Sequence, residues 1–359
     1  MANKITVALD CMGGDRAPQI VIEGADRIAE TNLRVHFLLF GDAKKITKIL
    51  NHARYLRGRY TIIDTPDFIS GDEKPSNAVR RGTKSSMRLA IDAVKDGRAD
   101  VIVSAGNTGA LMAISKIVLR SLPSIDRPAI VTYMPNTKNT ATVFLDMGAN
   151  IECPADVLFQ FAVMGSAFAR AVLKISQPTI GLLNVGSEEL KGNDAVKNAA
   201  LMLKNSAYAD QFHGYVEGDD LTKGIVDVVV TDGFTGNIAL KAIEGTAKLI
   251  SGVLREGFAG SIWSKIGYVF ASASLERAKK RIDPRLYNGA MLVGLNGVVV
   301  KSHGSADSVS FSNAIKVAIS LVENKINEKI TREVQLAAES IRVTTSQPSS
   351  EKETSQKAP

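Results

Sequence analysis

The chain has 359 residues, a length that predicts two domains or one large α/β domain with an elaboration. Its 45% hydrophobic and 23% charged content excludes a wholly disordered, collagen-like or coiled-coil chain. Lys and Arg number 44 against 37 Asp and Glu, a net charge of +7; this is a mild lean toward anionic partners, and without clustering it does not point to nucleic acid.

The first residues run directly into a strand-like stretch with no basic and apolar leader pattern. Apolar runs rich in Val, Ile and Leu recur at 5–10, 35–41, 61–64, 100–105, 142–146, 179–185 and 226–232. Runs apolar at nearly every position read as strands buried on both faces. Segments with helical spacing lie between them, at 85–95, 111–120 and 157–173. This alternation predicts a mostly parallel, doubly wound sheet covered by helices, with right-handed crossovers. Two later regions break the rhythm. Residues 251–286 keep near-helical apolar spacing despite four interior glycines, and 289–304 reads as a hairpin around Leu295-Asn296-Gly297. One long helix is expected over 308–341. From 344 to 359 the composition is polar and predicts a disordered tail. A single large α/β domain is therefore placed at 1–343. No uninterrupted apolar run of about 18 residues stands out as a membrane span, so a soluble cytoplasmic protein is expected.

In such a sheet ligands bind beyond the carboxyl ends of the strands. Five strand ends carry a polar residue with glycine: Asp10 to Asp15 with Gly13 and Gly14; Ser104 to Gly109 with Gly106, Asn107 and Thr108; Asp146, Gly148 and Asn150; Asn184 and Gly186; and Asp232 to Asn237 with Gly233, Thr235 and Gly236. Glycine lets backbone approach an oxyanion closely, and free N–H groups at a helix start hold it. Five such turns on one sheet edge would form an anion site. None is a Walker loop, a dinucleotide fingerprint or a G-x-S-x-G elbow. Two cysteines and four histidines show no metal-ligand spacing, so neither a metal nor a cofactor is expected. Lys191 follows the fourth turn, where a solvated surface charge competes with a phosphate-reaching cation. His303 and Ser305 lie in a Ser-His-Gly-Ser run. Asp10 and Asp232 end buried strands, where capping competes with catalysis.

The segments 10–15 (DCMGGD), 104–112 (SAGNTGALM), 127–129 (RPA), 146–150 (DMGAN), 160–165 (QFAVMG), 184–192 (NVGSEELKG), 227–245 (DVVVTDGFTGNIALKAIEG) and 289–307 (GAMLVGLNGVVVKSHGSAD) resemble the PlsX family, the acyl-acyl carrier protein:phosphate acyltransferases of bacterial phospholipid synthesis. The resemblance covers about residues 4–340 with every motif in order. Cys11, Arg16 and Asn193-Asp194 depart from the usual pattern, and Arg16 argues against an essential imidazole at that position. The resemblance implies a three-layer αβα fold like phosphate acetyltransferases and isopropylmalate dehydrogenases, in a homodimer. It implies transfer of a fatty acyl group from acyl carrier protein to inorganic phosphate, the acyl phosphate passing to a membrane glycerol-3-phosphate acyltransferase. Phosphate is then the nucleophile, and the protein supplies position and charge. On this resemblance Lys191 meets phosphate and developing charge, and Asn237 meets the thioester carbonyl or phosphate. The backbone N–H groups at Asn107–Gly109 and Thr235–Asn237 act as donors, with His303 and Asp232 as second choices. A phosphate acetyltransferase-like enzyme using acyl-CoA and a non-catalytic carrier-protein scaffold at the membrane remain alternatives, separated by whether acyl phosphate forms.

Over 250–285, Phe258, Ile262, Trp263 and Ile266 place large apolar groups at near-helical spacing ahead of a basic stretch. Packing into a core or dimer interface competes with contact to an anionic membrane surface. The family resemblance favours the second and implies a cytoplasmic, peripherally membrane-associated enzyme.

Overall fold

A computed structural model describes residues 4–281 and 283–345. Its strands are β1 (Ile5–Asp10), β2 (Val35–Gly41), β3 (Tyr60–Asp64), β4 (Val101–Ser104), β5 (Ala129–Pro135), β6 (Ala141–Leu145), β7 (Ile180–Leu183), β8 (Phe212–Val216), β9 (Val228–Val230), β10 (Ala290–Val293) and β11 (Val298–Lys301). They form one sheet in the order β3-β2-β1-β4-β11-β10-β5-β6-β9-β7-β8. Its α-helices are α1 (Gln19–Thr31), α2 (Ala43–Leu50), α3 (Pro75–Arg81), α4 (Ser86–Lys95), α5 (Thr108–Leu119), α6 (Ala155–Phe168), α7 (Asp194–Lys204), α8 (Gly233–Ala259), α9 (Ile262–Arg281), α10 (Ser308–Glu323) and α11 (Ile326–Thr345).

Successive side chains of a strand point to opposite faces, and the two hydrophobic cores divide accordingly. Val7, Leu9, Val101, Val103, Val143 and Leu145 join α1, α2, α6, α7, α10 and α11 on one side. Ala8, Ile102 and Phe144 join α3, α4, α5 and the inner side of α8 on the other. This is the expected αβα sandwich. Ser85 caps α4 by accepting from Arg88 N–H, so the helix starts where the sequence pattern placed it.

The sheet departs from the expectation in one consequential way. β10 is antiparallel to both β11 and β5, and β5 is antiparallel to β6. The strands β6, β9, β7 and β8 therefore run opposite to β1, β2, β3, β4 and β11. The five glycine turns do not share one edge. Those after β1 and β4 open at one edge, and those after β6, β7 and β9 open at the other. The reversal lies in β5, which the pattern of apolar runs did not mark because it ends in Met134-Pro135 beside a polar turn.

The helix expected over 308–341 is two. Asn324 caps α10 through its side chain to Ser320 O, Lys325 takes φ +51°, and α11 starts anew. The expected disordered tail lies, from residue 346, outside the described residues. The stretch Ala155–Leu173 is long and apolar enough to cross a membrane, which corrects the expectation that no segment is. It is largely buried as α6 and a following π-turn, with α7 and α11 packed against it.

Candidate active site

At the first edge, Asp10 is buried and acts as an acceptor. Its Oδ1 takes the Ser86 hydroxyl at 2.6 Å and its Oδ2 the Ser104 hydroxyl at 2.7 Å. Burial pushes its carboxyl pKa up, against these hydrogen bonds. A Cβ on Gly13 would sit 2.5 Å from Asp10 Oδ2 and 2.7 Å from Gly106 N, so these glycines serve close packing of the turn. Asn107 accepts from Ala110 N–H as the cap of α5 and donates to the carbonyls of Gly71 and Glu73. Gly109 lies against Pro75. The Asn107 side chain is thus committed to structure, and Thr108 stands exposed beside it.

The sequence analysis passed over Lys301. It ends β11 opposite Ser104, and its Nζ donates to the carbonyls of Ala105 and Ser302. Burial lowers its pKa to about 8, with Asp10 and Asp15 acting in the opposite sense. Asp15 N–H donates to Gly304 O, which ties the 10–15 turn to the 302–306 turn. Within the latter, Ser305 N–H donates to His303 Nδ1 at 3.3 Å, and the Ser305 hydroxyl lies 2.9 Å from the same nitrogen. The neutral imidazole therefore carries its proton on Nε2, aimed away from this turn. Partial burial holds the His303 pKa below its ordinary value; Lys241, Lys301 and Lys248 act in the same sense and Glu244 against it.

At the second edge, Asp146 is fully buried. Its carboxylate accepts from the backbone N–H groups of Ile130, Gly148, Ala149 and Asn150 and from Asn150 Nδ2. Asp146 and Asn150 therefore build the turn; the second Nδ2 bond of Asn150 goes to Pro128 O. The start of α8 rests on this turn. Gly233 N–H donates to Asn150 O at 2.7 Å, and a Cβ on Gly236 would lie 2.0 Å from Asp146 O, a distance only glycine permits. Asp232 caps α8 through Thr235 N–H and the Thr235 hydroxyl, so the capping role prevails. Asn237, one turn further on, is exposed and its side chain makes no hydrogen bond among the described residues. It hangs over Gly148, whose added Cβ would lie 3.6 Å from the Asn237 Cβ.

The turn after β7 is pinned by Asn184, whose Nδ2 donates to the carbonyls of Gly186 and Lys191. Lys191 is exposed and makes no ion pair among the described residues; neighbouring Glu189 pairs with Lys204 instead. β9 lies between β6 and β7, so Lys191 and Asn237 stand on adjacent strand ends. His303 belongs to the opposite edge, and α8 bridges the two. Glu244, within electrostatic reach of His303, is seven residues beyond Asn237, about 10 Å along the helix axis. Cys153 lies near Asp146 and Asp232. Burial, reinforced by both carboxylates, pushes its thiol up to about 12, which leaves no thiolate at neutral pH.

The site thus offers a cation and a free side-chain amide beside a glycine-lined turn, on a mixed-sheet αβα scaffold, an arrangement suited to holding an anion and a carbonyl oxygen; the expected backbone donors at Thr235 and Gly236 are instead taken by Asp232, and those of Gly148, Ala149 and Asn150 by Asp146. The same fold is seen in a phosphotransacetylase from Streptococcus pyogenes (TM-score 0.60, 18% identity, 89% of this chain and 94% of that one). It recurs in a branched-chain phosphotransacylase from Enterococcus faecalis V583 (TM-score 0.55, 15% identity, 89% and 99%). The family model described as "Fatty acid synthesis protein" matches residues 5–329. The chain is 53% identical to a phosphate acyltransferase of Paramagnetospirillum magneticum over 93% of its own length and 95% of the relative. It is also 53% identical to one of Rhodospirillum centenum over 93% and 94%. The chain belongs to this PlsX family of phosphate acyltransferases and is an acyltransferase.

Proposed function

We propose that this protein transfers a fatty acyl group from acyl carrier protein to inorganic phosphate. A phosphate oxygen bonds to the thioester carbonyl carbon, the C–S bond breaks, and acyl phosphate and the carrier thiol leave. The observation that carries this is that Lys191 and Asn237, both exposed and uncommitted, follow the adjacent strands β7 and β9, with both cysteines of the chain buried as protonated thiols. No protein thiolate stands ready to take the acyl group, so direct attack by bound phosphate is the economical route. Lys191 holds phosphate charge, and Asn237 donates to the carbonyl oxygen as it becomes an oxyanion, while His303 stands apart at the other edge. The +7 balance suits an acidic carrier protein.

In this reading the enzyme works as a homodimer in the cytoplasm, held peripherally on anionic membrane through α9 and the distal part of α8. That hairpin exposes Leu249, Val253, Ile262, Trp263, Val269 and Phe270. Phe258 packs edge-on against Tyr268, with ring centroids 5.4 Å apart, and so braces the hairpin; Ile262, Trp263 and Ile266 are the outward residues. Acyl phosphate released there reaches a membrane glycerol-3-phosphate acyltransferase.

The test incubates the enzyme with phosphate and either acyl-acyl carrier protein or acyl-CoA, and traps acyl phosphate with hydroxylamine. Phosphate-dependent hydroxamate with the carrier-bound donor supports the proposal. Product from acyl-CoA alone establishes the acetyltransferase-like alternative, and none from either refutes transfer to phosphate.

A further inference from the structure

The second edge carries a feature that anion binding does not require. Phe234, Asn237, Ile238 and Lys241 fall at i, i+3, i+4 and i+7 along α8 and form one exposed face; the packed side is the half-buried Ala239, Leu240 and Ile243. Phe234 is 60% exposed and Ile238 54%, on either side of the Asn237 amide. Ile151 is 76% exposed and follows Asn150, whose carbonyl holds Gly233 N–H. On the neighbouring strand end, Val185 and Leu190 flank Lys191 and are 81% and 89% exposed. Large apolar side chains gathered on one surface mark a binding region. The turns after β1, β4 and β11 are exposed only through polar groups such as Asp15, Thr108, His303 and Ser305. The turn after β3 adds Phe68, 54% exposed, to that edge, whereas Ile151, Val185, Leu190, Phe234 and Ile238 gather at the edge that presents Lys191 and Asn237.

We propose that the substrate's hydrocarbon chain lies across this rim, over Ile151, Phe234 and Ile238, with the thioester carbonyl at Asn237 and phosphate toward Lys191. This deepens the transfer reading above and rests on it. The occupant follows from the chemistry. An acyltransferase must seat an apolar chain next to the group that polarises its carbonyl, and a rim that interleaves an amide with two apolar side chains offers both within one helical turn. Each methylene taken from water favours binding about fourfold, so the rim sets chain-length preference.

The experiment measures kcat/KM across thioesters from butyryl to palmitoyl, for wild type, Phe234→Ala, Ile238→Ala and their combination, with size-exclusion chromatography on each protein. Both positions face solvent on a helix whose packed side is untouched, so these variants fold. The expected result is a palmitoyl-to-butyryl ratio lowered at least tenfold in the double variant, with Phe234→Leu and Ile238→Leu restoring most of it. An unchanged ratio overturns the proposal. So does a uniform loss at all chain lengths accompanied by a shift in oligomeric state, which would make the rim a contact between copies. Acyl phosphate absent from wild type with every thioester refutes the transfer reading itself, an outcome separate from a failed ratio.

Discussion

Asp146→Asn separates a carboxylate that builds a turn from one that touches substrate. The substitution keeps shape and removes one acceptor oxygen. If the remaining oxygen serves Ile130, Gly148 and Ala149 N–H, the new amide NH2 faces Asn150 N–H and Asn150 Nδ2, both 2.8 Å from the lost acceptor. Each donor left without a partner costs about 1–3 kcal/mol. The wild-type carboxyl already bears a desolvation cost, seen as its raised pKa, and the neutral amide escapes it. The net loss therefore falls at about 2–4 kcal/mol. It is read as the shift in urea midpoint at constant m. An unchanged midpoint with turnover abolished would refute this reasoning and return Asp146 to the substrate.

Lys191→Met should lower turnover by about 10²–10³ with unchanged thermal stability, because the side chain is exposed and unpaired; wild-type turnover in a folded variant excludes its role. Asn237→Ala should lower turnover while Asp232→Ala lowers stability by about 0.5–2 kcal/mol through the lost cap; the reverse pattern would contradict the α8 geometry. Lys301 titrates near pH 8 against an ordinary 10.5, so the unfolded chain holds its proton between those values and this group makes stability rise with pH across that window. Lys301→Met should flatten that rise, read as the change in urea midpoint between pH 8 and pH 10 at constant m; an unchanged slope would show that another group carries it. Ile262→Glu should abolish flotation with anionic vesicles and leave soluble turnover intact, whereas continued flotation assigns the hairpin to protein packing.

The strands with uninterrupted apolar runs were legible because burial on both faces leaves no other composition. β8 was not, since Phe212-His213-Gly214-Tyr215-Val216 is a half-exposed edge strand with a glycine in its middle. β5 escaped for its proline, and with it went the reversal that splits the glycine turns between two edges. Lys191 was legible only as a cation beside a glycine turn with its role open, and Asn237 was singled out by the family resemblance rather than by its own pattern. The scaffold roles of Asp146, Asn150 and Asn107 depend on backbone donors that only folding brings together. Lys301 was hidden because a lysine after three valines reads as the solvated end of a strand, whereas its ammonium is turned back onto two carbonyls.

The strand order has a consequence for how the protein is made. β10 and β11 occupy the middle of the sheet, between β4 and β5, yet they are the last strands synthesised. A ribosome adding roughly 5–20 residues per second leaves β4 without its inner neighbour for about 10–40 s while some 190 more residues emerge. The stretch from β6 to β9 is contiguous in the chain and can pair meanwhile. The turn of Asp10 and Ser104 gains its third wall, with Lys301, only when the nascent chain delivers residues 298–301. Until then two open strand edges stand exposed, and this interval is when the polypeptide most needs a chaperone.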